Sequence, residues 1–122
     1  MSLQDQIRKG STETLILSLL AKEPMYGYQI GQELQQRSGG YFEMKEGLLY
    51  PTLHRMAQEG LLSSEWRESG TARRRKYYAI TDKGRRALNE QTAEWQTFTK
   101  KLFHLLVPQQ SDADTLDSAP EA

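Results

Sequence analysis

Cysteine is absent from the 122-residue chain, which excludes disulfide scaffolds, thiolate catalysis, cysteine-ligated zinc and iron–sulfur clusters. No apolar run approaches the roughly 18–20 residues of a membrane span, and the polar N-terminal residues MSLQDQ precede no apolar signal segment. We therefore expect a cytoplasmic protein with no membrane partner. Mean hydropathy is low at -0.74, but two Trp, six Tyr and three Phe argue against disorder of the whole chain.

The charges are unevenly distributed although the net charge is zero. Residues 1–107 contain all 16 Lys and Arg but only 12 of the 16 Asp and Glu, so a basic segment precedes an acidic tail. The sharpest feature is the run of four cations Arg73-Arg74-Arg75-Lys76. Taken alone, such a run is more typical of a solvated edge than of a site for an anionic partner.

Apolar spacing predicts three helices in the first half of the chain. The first covers residues 11–22, with its N-cap at Ser11 or Thr12 and its end set by Pro24. The second covers roughly residues 27–37 and ends at two glycines; its apolar stripe comprises Tyr28, Ile30, Gly31 and Leu34. Residues 41–44 are too few to classify and suit a single extended segment.

The third helix is expected from about Leu48 to Glu59, with Pro51 in its first turn and Gly60 as its stop. Leu49, Leu53 and Met56 recur at helical spacing and should face the core. The period then changes from 3.6 to 2, which predicts two strands around a turn at residues 69–72. The resulting β-hairpin carries the four cations on its tip and second strand.

A long helix should follow from Asp82 to about Leu106, with Thr81 as its N-cap. Its apolar residues fall at heptad a and d positions, interrupted by Gln91; they are Leu88, Trp95, Phe98, Leu102 and Leu105. A domain of about 80 residues cannot cover so long a seam, so we expect a homodimer. Residues 108–122 have too few apolar residues to pack and are predicted to form an acidic disordered tail.

Three helices followed by a basic hairpin is the order of a winged helix-turn-helix fold, mainly α with a small β-hairpin. In that fold the third helix enters the major groove, about 12 Å wide, and the hairpin places cations beside phosphates. The predicted DNA contacts are Tyr50, Pro51, His54 and Arg55 on the third helix and Arg73, Arg74, Arg75 and Lys76 on the hairpin. The domains expected are residues 1–81 for DNA binding, 82–107 for dimerisation and 108–122 for the tail.

Three segments resemble the PadR-type transcriptional regulators: EPMYGYQI at residues 23–30, EGLLYPTLHRM at 46–56 followed by EGLL at 59–62, and RRKYYAIT at 74–81 followed by KGR at 83–85. The likeness spans about residues 10–106 and is closest to the short subgroup with one C-terminal helix. It implies a homodimeric repressor, and because such a dimer is two-fold symmetric, we expect its operator in double-stranded DNA to be an inverted repeat. One departure is Leu48, where the family usually has Ser or Thr; Leu cannot cap the helix or bind a phosphate, but it can contact a base methyl.

The resemblance also implies a place for an effector. Some short members bind flat aromatic compounds at the dimer interface beside a tryptophan of the last helix, and Trp95 occupies the matching place. A tryptophan at this position is more often interface core, so the alternative to a planar effector site is that Trp95 contributes only to the dimer interface.

The sequence offers little for catalysis. The two histidines, His54 and His104, are fifty residues apart, and neither a metalloprotease motif nor a glycine-rich phosphate loop is present. We therefore expect no enzyme activity, cofactor or metal. The alternative to a DNA-binding regulator is a protein-interaction module that uses the same winged fold to bind an acidic protein.

Overall fold

The computed structural model describes residues 2–70 and 73–108 of the chain. Its elements run α1 (Leu3–Leu20), β1 (Met25–Tyr26), α2 (Gly27–Arg37), α3 (Glu46–Gln58), β2 (Leu62–Ser69), β3 (Arg73–Ile80) and α4 (Asp82–Leu106). The strands form one antiparallel sheet in the order β1-β3-β2. This is the predicted winged helix-turn-helix order followed by a long helix, and it confirms the fold class.

The first helix is longer than its apolar pattern predicts. It begins at Leu3, where Ser2 is the N-cap and its hydroxyl accepts from the Asp5 N–H at 3.1 Å. Ser11 and Thr12, expected as caps, lie inside the helix and donate to carbonyls of the preceding turn. The expectation was wrong because residues 3–10 are mostly polar and their large apolar residues, Leu3 and Ile7, are exposed. The apolar period therefore reveals only the half of α1 that packs on the core.

The second and third helices pack against each other through a glycine. The α2 helix has the predicted bounds, and a Cβ added to Gly31 would lie 3.6 Å from Leu49 Cδ2 of α3. Ile30 and Leu34 are buried as expected, but Tyr28 is 59% exposed. It was wrongly placed in the core stripe, because a position two residues before Ile30 points away from the buried face.

The third helix starts two residues earlier than predicted, at Glu46. Pro51 consequently lies in the second turn rather than the first, where it leaves the Gly47 carbonyl without an i→i−4 donor. The predicted core positions of this helix, Leu49, Leu53 and Met56, are all buried. Gly60 follows the helix with φ of 81°, the left-handed conformation expected of a glycine stop.

The sheet has one strand more than the predicted hairpin. β2 and β3 pair along their whole length, from Leu62 opposite Ile80 to Ser69 opposite Arg73. β1 adds two pairs on the other edge of β3, Met25 with Tyr78 and Tyr26 with Tyr77. Residues 73–76 of β3 therefore have no β1 partner, while residues 41–44, suggested as an extended segment, form no strand.

Thr81 joins β3 directly to α4 and is the N-cap that the sequence predicts. Its hydroxyl accepts from the Gly84 N–H at 3.0 Å and lies 2.6 Å from the Gly60 carbonyl, to which it donates. Gly84 is buried against the backbone carbonyl of Leu61, and an added Cβ would lie 2.8 Å from Ile80 Cγ1. The first turn of α4 is thus fixed to the ends of α3 and β3.

The chain divides into two compact units within α4, one ending at Glu90 and the other beginning at Gln91. The first unit contains the hydrophobic core, to which all three strands and the first three helices contribute, and Ala87 and Leu88 of α4 pack against it. The core residues are Ile16, Leu17, Leu19, Leu20, Met25, Ile30, Leu34, Leu49, Leu53, Met56, Leu61, Leu62 and Tyr78. Among the helices described here, none has the length and apolar character needed to cross a membrane. The predicted acidic tail lies outside the described residues beyond Pro108.

Candidate nucleic-acid interface

The exposed side of α3 carries most of the residues predicted to contact DNA. Pro51 and His54 are exposed, and Tyr50 is 43% exposed at the side of the helix. Leu48, also 43% exposed, lies in the first turn, and its carbonyl accepts from the Thr52 hydroxyl at 2.7 Å. The N-terminal half of α3 therefore presents both apolar and polar side chains to solvent.

Arg55 differs from its neighbours because two carboxylates hold it. Its guanidinium bonds Glu59 of the same helix at 2.9 Å and Glu13 of α1 at 3.1 Å. Burial acts to lower the pKa of Arg55, but the hydrogen bonds and charges of Glu59 and Glu13 outweigh it and raise the pKa above its ordinary value. Arg55 would have to leave these acids to bind a base edge.

The four hairpin cations divide between the two faces of the sheet. Side chains alternate along a strand, so Arg74 and Lys76 share the face of the buried Tyr78, whereas Arg73 and Arg75 share the face of Tyr77. We call β2, β3 and the residues that connect them the wing; residues 71 and 72 lie outside the described part of the chain. A single flat partner cannot contact all four cations in the same way.

Aromatic rings accompany the wing cations on both faces. On the Tyr77 face of the sheet, which we call the outer face, the Arg75 guanidinium lies 4.5 Å from the ring centroid of Tyr26. The Tyr26 ring in turn meets the Tyr77 ring edge to face at a centroid distance of 5.4 Å. On the Tyr78 face, which we call the inner face, the Arg74 guanidinium lies 5.5 Å from the ring centroid of Trp66. Such cation–π contacts restrict where the guanidinium groups lie without neutralising their charge.

Tyr50 and the wing line one groove of about 440 Å³, which we call the Tyr50–wing groove. The structure thus brings Tyr50 together with the four wing cations, whereas Pro51, His54 and Arg55 lie outside this groove. Its lining residues are Tyr26, Gly27, Tyr28, Tyr50, Trp66, Arg73, Arg74, Arg75, Lys76 and Tyr78.

A glycine allows Tyr50 to occupy this position. The Tyr50 ring fills the space that a Cβ on Gly27 would need, and its hydroxyl oxygen would be 2.9 Å from that Cβ. Burial, and then the charge of Glu46, raise the pKa of Tyr50; burial, and then the nearby Tyr50, raise the pKa of Tyr78. Both phenols therefore keep their protons at neutral pH, so Tyr50 can donate a hydrogen bond to an anionic oxygen.

Sequence reasoning missed three aromatic residues of this groove, Tyr26, Tyr28 and Trp66. Only Trp66 carried a usable signal, because strand alternation places it on the face of Lys76, its partner in the β2–β3 register. Tyr26 was hidden by the shortness of β1, which has two residues and no recognisable period.

The second compact unit presents apolar side chains to solvent along α4. Trp95 is half-buried and meets Phe98 edge to face at 5.9 Å. Phe98 is 55% exposed and Leu105 is 81% exposed. Leu102, at 36%, completes the seam within this unit, and the exposed Phe103, Leu106 and Val107 widen the apolar surface towards the end of the helix.

The described residues contain no cluster of three or more His, Cys, Asp or Glu side chains placed to hold a metal ion.

Comparison with known proteins identifies the family. The model of the family described as the transcriptional regulator PadR-like family matches residues 16–90. A transcriptional regulator from Mycobacterium tuberculosis is 37% identical over 86 residues, covering 70% of this chain and 76% of that protein. The negative transcriptional regulator PadR of Bacillus subtilis is 31% identical over 75 residues, covering 62% of this chain but only 41% of the longer relative.

A solved structure agrees over most of its length. The crystal structure of a PadR-like transcriptional regulator from Bacillus cereus shares 35% identity and superposes with a TM-score of 0.75, covering 85% of this chain and 99% of that one. These relatives are regulators rather than enzymes, which supports the prediction of a protein without catalytic activity. The resemblance found in the three sequence motifs is confirmed: the chain is a DNA-binding transcriptional regulator that belongs to the PadR-like family.

Proposed function

We propose that the chain is a dimeric, cytoplasmic repressor that binds an inverted-repeat operator through α3 and the wing. The observation that carries this proposal is the Tyr50–wing groove, whose lining includes a phenol of α3 and four consecutive cations. Arg and Lys side chains beside phosphates supply affinity, while residues at the N-terminal half of α3 supply base contacts. The name of the Bacillus subtilis relative, a negative regulator, supports repression over activation.

The apolar seam of α4 supports the dimer. Side chains such as Phe98 and Leu105, more than half exposed within their own unit, would contribute stability only when a second surface covers them. A second copy of the chain provides an identical seam, since heptad positions a and d pair with each other. A two-fold dimer presents two copies of α3, so its operator should be an inverted repeat with half-sites about one or two helical turns apart.

The test is selection of binding sites from a random-sequence duplex library, followed by footprinting of the selected site. We expect enrichment of an inverted repeat with protection of both halves. A footprint on one asymmetric half-site would contradict the dimeric proposal. Failure to enrich any sequence, together with capture of an acidic protein by the wing, would favour the protein-interaction alternative.

The second part of the proposal is control by a planar hydrophobic effector. The half-buried position of Trp95 on α4 supports it. In a two-fold dimer the half-buried Trp95 would face its symmetry mate, and a flat ligand could stack between the two indoles; offset aromatic pairs add about 0.5–1.5 kcal/mol beyond burial. Such a ligand acts only if it prefers a conformation that binds DNA less well, with a coupling of about 1–3 kcal/mol.

The effector is tested by fluorescence with Trp66 replaced by Phe, so that Trp95 is the remaining indole. Titration with planar aromatic dyes should quench Trp95 and weaken operator binding in parallel. If no dye quenches Trp95 or changes operator affinity, Trp95 is dimer core only.

A further inference from the structure

Trp66 is a large apolar side chain that the first unit leaves in water. It lies on β2 of the wing and is 57% exposed, although its register places it on the same face as the buried Tyr78. The hydrophobic core ends at Tyr78, and Trp66 lies two positions further towards the wing tip. Its indole therefore lines the Tyr50–wing groove rather than the core.

Cations flank the indole on the same face of the sheet. Lys76 lies directly opposite Trp66 in the strand register, and the Arg74 guanidinium lies 5.5 Å from the ring centroid. Glu68 lies opposite Arg74, so an acid accompanies the outer of the two cations. The inner face of the wing thus presents an exposed indole of β2 beside two cations of β3, with Tyr50 of α3 lining the same groove.

We propose that Trp66 packs against the deoxyribose surface of one DNA strand while Arg74 and Lys76 contact the phosphates on either side of that sugar. This inference rests on the proposed DNA-binding function and assigns the groove its occupant. A DNA strand alternates anionic phosphates with sugars that present C–H groups, so an exposed indole beside two cations matches it in charge and polarity. An acidic peptide lacks this regular alternation, which makes the DNA backbone the better occupant.

This contact should contribute to the DNA affinity by an amount that does not depend on salt concentration. Each phosphate neutralised by a cation adds about −0.9 to the slope of log affinity against log salt, whereas apolar burial releases no counterions. Replacing Trp66 by Ala should therefore weaken binding roughly tenfold at every salt concentration and leave the slope unchanged. Arg74→Ala should instead flatten the slope by about 1 for each wing.

The experiment measures binding of a labelled mixed-sequence duplex to the full chain by fluorescence anisotropy between low and moderate salt. The variants are Trp66→Ala, Trp66→Phe, Arg74→Ala and the double variant Trp66→Ala/Arg74→Ala. Trp66→Phe retains a flat ring and should stay within roughly threefold of the unsubstituted chain. In the double variant, the weakening caused by Trp66→Ala should persist at full size, because a direct contact does not depend on Arg74.

Each outcome separates the inference from the function on which it rests. If the unsubstituted chain binds no duplex, the DNA-binding function itself fails. If it binds and Trp66→Ala binds equally well, the Trp66 contact alone is overturned. A slope change in Trp66→Ala equal to that of Arg74→Ala, with no further weakening in the double variant, would show that Trp66 only positions Arg74 and would also overturn the contact.

A spectroscopic measurement covers the case in which Trp66→Ala does not fold. In a Trp95→Phe background Trp66 is the remaining indole, and its emission should shift to shorter wavelength when duplex DNA excludes water from it. An emission spectrum that stays unchanged while the duplex binds would overturn the contact.

Discussion

The apolar seam of α4 gives a prediction in which the folded unit and the dimer respond differently to the same substitution. Phe98 and Leu105 are 55% and 81% exposed, so replacing both by Ala opens no large cavity within the chain, and Ala is the strongest helix former. Burying a Phe or Leu side chain fully contributes about 1.5–3 kcal/mol. Two-fold symmetry applies each substitution twice, so the double variant should lose roughly 4–8 kcal/mol of dimerisation free energy once the exposed fractions are taken into account.

That difference corresponds to about three to six powers of ten in the dimer dissociation constant. Sedimentation velocity from nanomolar to tens of micromolar concentration should show Phe98→Ala/Leu105→Ala as monomer where the unsubstituted chain is dimer. The matched control is Gln96→Ala/Lys100→Ala, on the opposite face of the same helix, which should leave association unchanged. A dimer of undiminished affinity in the seam variant, or equal weakening in the control, would refute the reasoning.

Three further predictions concern the wing, α3 and the start of α4. Arg73→Ala/Arg74→Ala should weaken binding to all duplexes alike and flatten the salt slope by about 1–2 for each wing, measured by anisotropy at several salt concentrations. His54→Ala should instead reduce discrimination between the selected operator and mismatched sites, because a good base contact is worth about 1–3 kcal/mol of discrimination. Competition binding measures this difference, and equal weakening on both duplexes would contradict a base-reading role. Thr81→Val should lower the free energy of unfolding in urea by about 1–2 kcal/mol, because the hydroxyl that caps the Gly84 N–H is removed, while Thr81→Ser should stay close to the unsubstituted chain. Equal stability of the Val and Ser variants would rule out the hydroxyl as the cause.

Elements with a strong apolar period could be predicted from the sequence almost to the residue. The α2 helix, the paired β2 and β3 strands and the long α4 could be predicted because apolar residues recur in each at helical or strand spacing over several turns or pairs. The first half of α1 could not be predicted, because its polar residues have no periodic burial to reveal. β1 could not be predicted either, since two residues acquire strand character only through pairing with Tyr77 and Tyr78.

The candidate site was partly accessible from the sequence for a similar reason. The cations of the wing and Tyr50 of α3 were predicted from charge and helix geometry, and the structure places them around one groove. That Arg55 is bound by Glu13 could not be predicted, because the two residues are 42 positions apart. Such long-range pairing depends on how α1 packs against α3, which no local pattern encodes.

The packing of the first turns of α4 against the core has a practical consequence for dividing this regulator into fragments. A fragment ending at Thr81 would lack Gly84, which is packed on the Leu61 backbone, and would lack Leu88, which covers part of the core. Apolar surface would then be newly exposed at the base of the wing, and such a fragment should aggregate or unfold at a lower temperature. A fragment that ends after Glu90 keeps these contacts and omits the exposed seam from Gln91 onwards. It should therefore remain a folded monomer, which makes it the reagent for measuring how tightly a single half-site is bound.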